Sequence, residues 1–342
     1  MLALLLPILA WQVPPAPESR ALAFLAREVP AWSKANRCFS CHNNGDAARA
    51  LIEASSRPEF RTLAPESALA DTLDWLKHPD RWDEKADGEF HDRRLVSIAF
   101  SQALAAATRV NLIEDRGPLR QAAQRLARIQ AADGSFPIDG PDTVGAPATY
   151  GRPLATAMAL RTLQAADPME FDGGIRRGLE WLRIRPIRNT LDASAVLIAD
   201  PGSSRADEAR KRLRDWQGED GGWGPYPNSP PEVFDTAIAS LATGDQTDED
   251  RLVRQRARAF LIRSQKVDGS WPETTRPPGG VSYAERLATA GWATLALLDT
   301  SRASDKRPPS ESKPTPLRYR SGLIPLKETS HPEPTRPERS TP

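Results

Sequence analysis

The sequence predicts an all-α protein built from about six stacked helical hairpins, on the strength of two observations. First, a seven-residue pattern, Gln-x-x-Asp-Gly-x-aromatic, occurs three times at fixed internal spacing, in residues 130–136, 217–223 and 265–271. Second, each copy follows an apolar helical pattern and precedes a polar loop and then an Ala-rich helical pattern. A unit that recurs in this way is typical of stacked arrays, in which each unit buries its apolar face against its neighbours.

Each residue type in the repeated turn has a physical role. The Gly can take the left-handed conformation that ends a helix, and the Asp can accept hydrogen bonds from nearby backbone N–H groups. The Gln can close the hydrogen-bond network at the end of its helix. The aromatic ring is expected to pack against the next hairpin. The three turns are therefore expected to join neighbouring hairpins.

The apolar patterns form six pairs along the chain. The paired segments are 21–25 with 47–54, 69–76 with 95–107, 119–129 with 154–165, 175–182 with 191–199, 209–216 with 234–241, and 252–262 with 287–298. The second members share a column of small residues that contains Ser97, Thr156, Ser194, Thr236 and Thr289. Small residues permit close packing of helices, and a Ser or Thr hydroxyl can bond back to the preceding turn.

The repeated turn resembles the QW motif of the squalene-hopene cyclase and prenyltransferase superfamily. The resemblance covers residues 119–300 well and residues 20–118 by extension. It implies an α/α toroid, in which outer and inner helices alternate around a central cavity, and that cavity is where the family's enzymes hold isoprenoid chains. Six hairpins match the number that closes a toroid in this family. The periodicity alone indicates only stacked hairpins and leaves an open solenoid as the alternative.

The two ends of the chain differ in composition from the toroid, which we place at residues 19–300. Residues 1–18 are expected to be a signal peptide and Pro-rich leader, because a short apolar run precedes a Pro-rich stretch. This predicts an exported protein, periplasmic or extracellular, with no membrane span after cleavage; a mis-assigned start or a merely apolar N-terminus is the alternative. Residues 301–342 are rich in charge and Pro and are predicted to be disordered.

The overall charge indicates no polyanionic partner. The 46 Lys and Arg residues nearly cancel the 45 Asp and Glu residues, so the sequence predicts no binding of nucleic acid.

The chain has only two cysteines, which is too few for a fold held together by several disulfides.

Both cysteines lie in Cys38-Phe-Ser-Cys41-His42, which has the spacing of a c-type haem attachment site. In such a site two thiols bond to the porphyrin and the His supplies an axial nitrogen. Attachment occurs outside the cytoplasm, in agreement with the predicted export. His91 and His78 are the candidates for the sixth ligand, because the loop of the second hairpin should lie beside that of the first. Haem c would imply electron transfer or redox-linked ligand binding, with a redox partner protein.

Two other interpretations of the cysteine segment remain open. Cys38, Cys41 and His42 could form a zinc site together with His91, although adjacent Cys41 and His42 are awkward ligands for one metal ion. Alternatively, the two cysteines could form a small, strained disulfide, a redox pair or an inert structural pair.

The catalytic motifs of the resembled family are incomplete in this chain. Class II terpene cyclases protonate an alkene with the middle Asp of an Asp-x-Asp-Asp-Thr-Ala motif. The matching stretch, residues 232–237, retains Asp235 but has Phe234 at the proton-donor position. Protein prenyltransferases need an Asp, a Cys and a His on zinc, and the cysteines here lie at the opposite end of the array. We therefore expect neither a typical terpene cyclase nor a typical protein prenyltransferase.

The residues at the start of the returning helices are the candidate ligand-binding residues at the rim of the cavity. They are Arg93, Tyr150, Arg152, Asp192, Glu232, Asp235, Tyr283, Glu285 and Arg286. For each of them, helix capping or an ion pair between hairpins is the alternative role.

Three functions follow from these features. The favoured one is an exported toroid protein that carries a covalent haem. The second is a non-redox binding protein for a hydrophobic or isoprenoid ligand. The third is a divergent lyase or isomerase that uses acids at the rim, and the missing proton donor weakens it most.

Overall fold

The computed structural model describes residues 15–84, 93–138, 140 and 143–304. Residues 302–304 are described by their backbone alone. Over these residues the chain forms twelve α-helices. They are α1 Pro17–Asn36, α2 Ala48–Ser55, α3 Glu66–Leu76, α4 Arg93–Arg109, α5 Gly117–Ile129, α6 Gly151–Ala166, α7 Asp172–Ile184, α8 Thr190–Ala199, α9 Ala206–Trp216, α10 Val233–Thr243, α11 Asp248–Ser264 and α12 Tyr283–Ser304. A π-helix, Cys41–Ala47, leads directly into α2.

These helices match the six predicted pairs, and α12 continues a few residues beyond the predicted end of the toroid. Most of the predicted leader and the tail beyond residue 304 lie outside the described residues. None of the helices in the described ranges is long and apolar enough to cross a membrane.

The even-numbered helices form a closed inner ring. The π-helix and α2 pack against α4, and α6, α8, α10 and α12 follow in order, each against the next. The ring closes because α12 packs in turn against the π-helix and α2. Neighbours on all sides explain why every residue of α8 is buried. The prediction of an all-α, six-hairpin toroid is therefore confirmed, and the open solenoid is excluded.

The outer layer closes between the last repeated turn and α1. The side-chain amide of Gln265 donates to the carbonyl of Pro17 at 2.9 Å, and Gly269 lies against the backbone of Arg20. An ion pair between Glu18 and Arg258 adds a contact from α1 to α11. The first and sixth hairpins are thus bonded to each other as directly as any consecutive pair.

The repeated turns act as predicted. Their three glycines all have φ of 90–91°. In the first copy, Asp133 accepts hydrogen bonds from the backbone N–H and hydroxyl of Ser135 at 2.9 and 2.7 Å. The side-chain amide of Gln130 donates to the carbonyls of Gly134 and Gly174, both at 2.8 Å. Because Gly174 lies in the first turn of α7, one glutamine fastens its own turn to the next outer helix.

Threonine hydroxyls in the column of small residues bond the repeated turns to the inner ring. Thr156 accepts a hydrogen bond from the backbone N–H of Phe136, and Thr236 accepts one from that of Trp223, both at 2.9 Å. Thr156 also donates to the carbonyl of Arg152 in the preceding helical turn at 2.8 Å. These buried backbone donors are therefore satisfied by side chains of the inner helices.

Candidate functional site

The side chain of Arg49 reaches across the inner ring. It extends from α2 to three other inner helices: its Nη1 donates to Gln102 Oε1 of α4 at 3.4 Å and to Met158 Sδ of α6 at 3.7 Å. Its guanidinium carbon lies 4.0 Å from the ring centre of Trp292 in α12, a cation–π contact. Arg49 is only 8% exposed. A charged side chain thus occupies the centre, where the family resemblance implied a cavity.

Three aromatic rings form a cluster at this centre, which we call the aromatic cluster: Tyr150, Phe234 and Trp292. Tyr150 and Phe234 pack edge to face against Trp292, with ring centres 5.9 and 6.2 Å away. All three rings are buried, and Tyr150 has φ of 65°, a strained value for a bulky residue. The indole Nε1 of Trp292 is buried without a hydrogen-bond partner.

Asp46, from the π-helix, connects the cluster to the cysteine segment. Its Oδ1 accepts a hydrogen bond from the hydroxyl of Tyr150, and its Oδ2 lies 3.6 Å from Nδ1 of His42. Burial raises the pKa of Tyr150 well above its usual value, and the carboxylate of Asp46 raises it further. The phenol therefore stays protonated and donates.

Asp235 is the most enclosed of the predicted rim residues. It is fully buried, its Oδ2 accepts a hydrogen bond from Arg276 Nη2, and its Oδ1 has no partner. Glu232 Oε2 accepts from the same nitrogen at 3.1 Å. Burial raises the pKa of Asp235 to about 7, although Arg276 opposes the rise, and Glu232 adds to it. This carboxyl group can therefore exchange a proton near neutral pH.

Two other rim predictions have structural roles. Asp192 is buried, accepts a hydrogen bond from the backbone N–H of Arg188 at 2.9 Å, and lies 3.6 Å from Arg185 Nε. Burial raises its pKa above the usual value. Arg152 lies near Asp133 of the first repeated turn; burial raises the pKa of that carboxyl, but Ser135 and then Arg152 lower it below its usual value. Both residues support helix starts and turns, the alternative role that the sequence left open.

The remaining rim residues lie near the first hairpin or at the surface. The ring of Tyr283 stacks on Trp32 with ring centres 5.7 Å apart, and its hydroxyl accepts from the side chain of Asn43 at 2.9 Å. The guanidinium of Arg286 lies over the Tyr283 ring, at 5.5 Å. Burial raises the pKa of Glu285, and the nearby charge of His42 lowers it. Arg93 begins α4 and is exposed.

The cysteine segment runs straight into the π-helix. The hydroxyl of Ser40 caps that helix by accepting hydrogen bonds from the backbone N–H groups of His42 and Asn43 at 3.2 and 3.4 Å. The side chain of His42 is 12% exposed and turned towards Asp46. Burial lowers its pKa, but Cys41 and Asp46 together raise it to about 10. These two neighbours therefore favour the protonated form of the imidazole. Short π-helices occur frequently at functional sites.

This geometry gives a haem no support. An axial ligand needs a neutral imidazole nitrogen that faces room for a porphyrin, whereas His42 is enclosed between the inner helices beside Asp46. Both cysteines are free thiols of intermediate exposure, and Phe39 between them stacks on Trp75 with ring centres 4.5 Å apart. That contact joins the first loop to the last turn of α3. Covalent attachment of haem at Cys38 and Cys41 stays a prediction.

Of the two proposed partners of the cysteine segment, only His78 lies among the described residues. His78 is exposed at the end of α3, and His91 lies outside the described residues. Within the described ranges no group of three or more His, Cys, Asp or Glu side chains is arranged to hold a metal ion. The zinc interpretation, which needed His91, is therefore not supported by the described residues.

An apolar surface lies one or two helical turns beyond the aromatic cluster, towards the carboxyl ends of the inner helices. Leu295 follows Trp292 by three residues, Ala106 follows Gln102 by four, and Leu241 follows Phe234 by seven, so each shares a helix face with a residue of the centre. We call these three residues the apolar mouth. Ala106 and Leu295 are 5% and 9% exposed, and Leu241 is more so.

A cavity of about 320 Å³ lies between the outer helices α9 and α11 and has a charged lining. Arg210 pairs with Asp207 at 3.1 Å, and Arg214 pairs with Asp250 at 3.5 Å. Its charges are matched within the protein, and it is unsuited to a hydrophobic ligand.

Sequence reasoning missed Asp46, Arg49 and Arg276. A usable signal existed for the first two, because they are the charged residues in the otherwise uncharged stretch Gly45-Asp46-Ala-Ala-Arg49-Ala-Leu-Ile52. Charges in such a stretch are expensive to bury and often mark a site. Arg276 lies in a Pro-rich loop that gave no such signal.

The comparisons agree with this architecture. No protein-family model and no curated protein matches the chain. Solved structures do match. The type II terpene cyclase MstE from Scytonema, without ligand, is 14% identical with a TM-score of 0.54, over 84% of this chain and 98% of the cyclase. A protein from Actinoplanes is 16% identical with a TM-score of 0.55, over 84% of this chain and 99% of that protein.

A variant of the same cyclase has been solved with its substrate, geranylgeranyl dihydroxybenzoate. It is 15% identical to this chain with a TM-score of 0.50, over 83% of this chain and 99% of the variant. At these identities the likeness shows that this chain has the fold of a terpene cyclase.

Proposed function

We propose that this protein is a non-redox binding protein for a hydrophobic, isoprenoid-like ligand. The observation that carries the proposal is the aromatic cluster of Tyr150, Phe234 and Trp292 at the centre of a closed helical ring. Aromatic faces suit unsaturated hydrocarbon chains, and pockets of this kind are mostly apolar with a few polar groups. The geranylgeranyl ligand of the similar cyclase variant adds support from the same fold.

Two features of the centre favour binding over cyclisation. Phe234 takes the proton-donor position and is packed against Trp292, so no acid is available there. The guanidinium of Arg49 covers a face of the same indole at 4.0 Å. A carbocation at a similar distance from that fixed charge would be repelled by about 4 kcal/mol at an effective dielectric constant of 20. The centre is therefore poorly suited to the cationic intermediates of terpene cyclisation.

The ligand is expected to enter through the apolar mouth formed by Ala106, Leu241 and Leu295. A titration of the full chain with geranylgeraniol, followed by intrinsic tryptophan fluorescence and calorimetry, tests the proposal. Saturable binding is expected, with the alcohol recovered unchanged by mass spectrometry. Ala106→Trp should weaken binding at least about tenfold, since it fills the mouth. Ala23→Trp, on the exposed side of α1, is the matched control and should bind as the wild type does.

The proposal fails if geranylgeraniol does not bind or if Ala106→Trp binds it as well as Ala23→Trp does. Conversion of the alcohol to a new product would instead support the divergent lyase or isomerase, with the carboxyl group of Asp235 as the first residue to test.

The haem, its redox partner and the predicted export stay separate predictions. They are tested by an absorption spectrum of protein exported from a host with haem-attachment machinery, beside a Cys38→Ala, Cys41→Ala double variant. Haem attachment predicts a Soret band that survives denaturation and is lost in the variant; a folded, colourless wild type would contradict it.

A further inference from the structure

The buried charge of Arg49 has no counter-charge among the residues that the structure describes. Its two hydrogen-bond acceptors, Gln102 Oε1 and Met158 Sδ, are neutral and lie at the long distances of 3.4 and 3.7 Å. Its Nε is buried without a partner. Among the described residues no carboxylate forms an ion pair with it, and Asp46 is already engaged by Tyr150 and His42. Buried charges are normally paired, so a counter-ion is expected here from outside the chain.

A second unsatisfied donor lies at the same place. The indole ring of Trp292 lies against the guanidinium, and its Nε1–H is also buried without an acceptor. A buried donor that finds no partner is unusual in a folded protein. The neighbouring amide nitrogen of Gln102 is, by contrast, satisfied by the carbonyl of Met158 and the hydroxyl of Thr162 at 2.6 and 2.7 Å. Arg49 Nε and Trp292 Nε1 are therefore two unsatisfied donors that lie beside each other at the centre.

We infer that Arg49 and Trp292 bind the anionic head group, a carboxylate or a phosphate, of an isoprenoid-like ligand at the centre of the ring. This inference rests on the proposed binding function and adds the chemical class of the ligand. The guanidinium supplies the charge and hydrogen-bond donors that match an oxyanion, and the indole N–H adds a further donor. The apolar mouth lies one or two turns away and takes the hydrocarbon chain. The ligand is an amphiphile with an acidic head and an apolar body.

Three probes with the same hydrocarbon chain test the inference on the full chain: geranylgeranyl diphosphate, geranylgeranoic acid and geranylgeraniol. One or both anionic probes are expected to bind about ten- to a hundredfold tighter than the alcohol. This ratio corresponds to the usual strength of a hydrogen bond to a charged group. The anionic probe that binds more tightly shows whether the head group is a phosphate or a carboxylate. Arg49→Met should abolish this preference and leave the affinity for the alcohol nearly unchanged.

Two further variants keep the test decisive. Trp292→Phe retains the ring but loses the N–H, and should reduce anion affinity about three- to tenfold. Arg128→Met removes an exposed arginine from α5 and should bind all three probes as the wild type does. If Arg49→Met does not fold, the wild-type preference and Trp292→Phe decide. Equal binding of alcohol and anions by the wild type refutes the anionic head group but keeps the binding function; no binding of any probe refutes both.

Discussion

Substitution of Gly269 by Ala should destabilise the protein, because this glycine closes the outer layer against α1. A Cβ atom at this position would lie 2.1 Å from the carbonyl oxygen of Arg20 and 2.5 Å from its carbonyl carbon, which are backbone atoms and cannot turn aside as a side chain can. The φ of 90° adds the cost of a left-handed conformation, about 1–2 kcal/mol. Relief of the overlap costs about a further 1–3 kcal/mol. We expect Gly269→Ala to lower the free energy of unfolding by about 2–5 kcal/mol, measured by urea denaturation.

The matched control is Gly279→Ala. Gly279 has a similar φ of 85°, but no atom lies within 4 Å of the position that a Cβ would occupy there, so only the backbone term remains. We expect this control to lose about 1–2 kcal/mol. The difference between the two variants then measures the contact at the seam. Equal losses would show that the third turn does not press on α1, and the closed outer ring would be wrong.

Two further predictions concern α10. Burial raises the pKa of Asp235 to about 7, above its unfolded value near 4. As the pH rises from 4 to 7, the wild type should therefore lose stability relative to Asp235→Asn by on the order of a few kcal/mol, and the difference should level off at higher pH. Unfolding free energies of both proteins across this range check the prediction, and parallel curves would contradict it. Thr236→Val removes the acceptor for the buried N–H of Trp223 and should cost about 1–3 kcal/mol in urea denaturation. Thr243→Val, whose hydroxyl bonds only within its own helix, is the control and should cost less than half as much.

Most of the fold could be predicted because the repeated turn is a local signal with a local cause. Gln265, Asp268 and Gly269 each act on atoms within a few residues or on the first turn of the next outer helix. Such interactions leave the same residues at the same spacing each time they recur. Closure of the ring could not be predicted in this way, because it depends on contacts between residues about 240 positions apart, such as Glu18 with Arg258.

The site was predicted less well because its polar groups come from several different hairpins. Each hairpin contributes them at a single position, so no local sequence pattern marks the site. The sequence identified Tyr150, Asp235 and Glu232 by their position at the start of inner helices, and the structure places all three at buried or partly buried contacts. It missed Arg49, which lies where the π-helix runs into α2 and whose side chain reaches across the ring. The haem spacing drew attention to His42, whose Nδ1 instead lies 3.6 Å from Oδ2 of Asp46, four residues later in the π-helix.

The arrangement around Arg49 predicts opposite effects of one substitution on stability and on binding. In the ligand-free protein the guanidinium is desolvated without a counter-charge, and its cation–π contact returns only about 2 kcal/mol. Replacement of buried charges by apolar side chains of similar volume often stabilises a protein by about 1–4 kcal/mol. We therefore expect Arg49→Met to raise the free energy of unfolding of the ligand-free protein while it abolishes the preference for anionic probes.

Differential scanning calorimetry with and without geranylgeranyl diphosphate separates the two effects. The wild type should gain stability with ligand concentration, as expected for a ligand that binds only the folded state. Arg49→Met should be more stable than the wild type without ligand and should gain much less stability when the ligand is added. A ligand-free Arg49→Met that is several kcal/mol less stable than the wild type would mean that the charge is already compensated within the empty protein. The guanidinium would then be part of the packing of the inner ring, and the anion would have no reason to bind there.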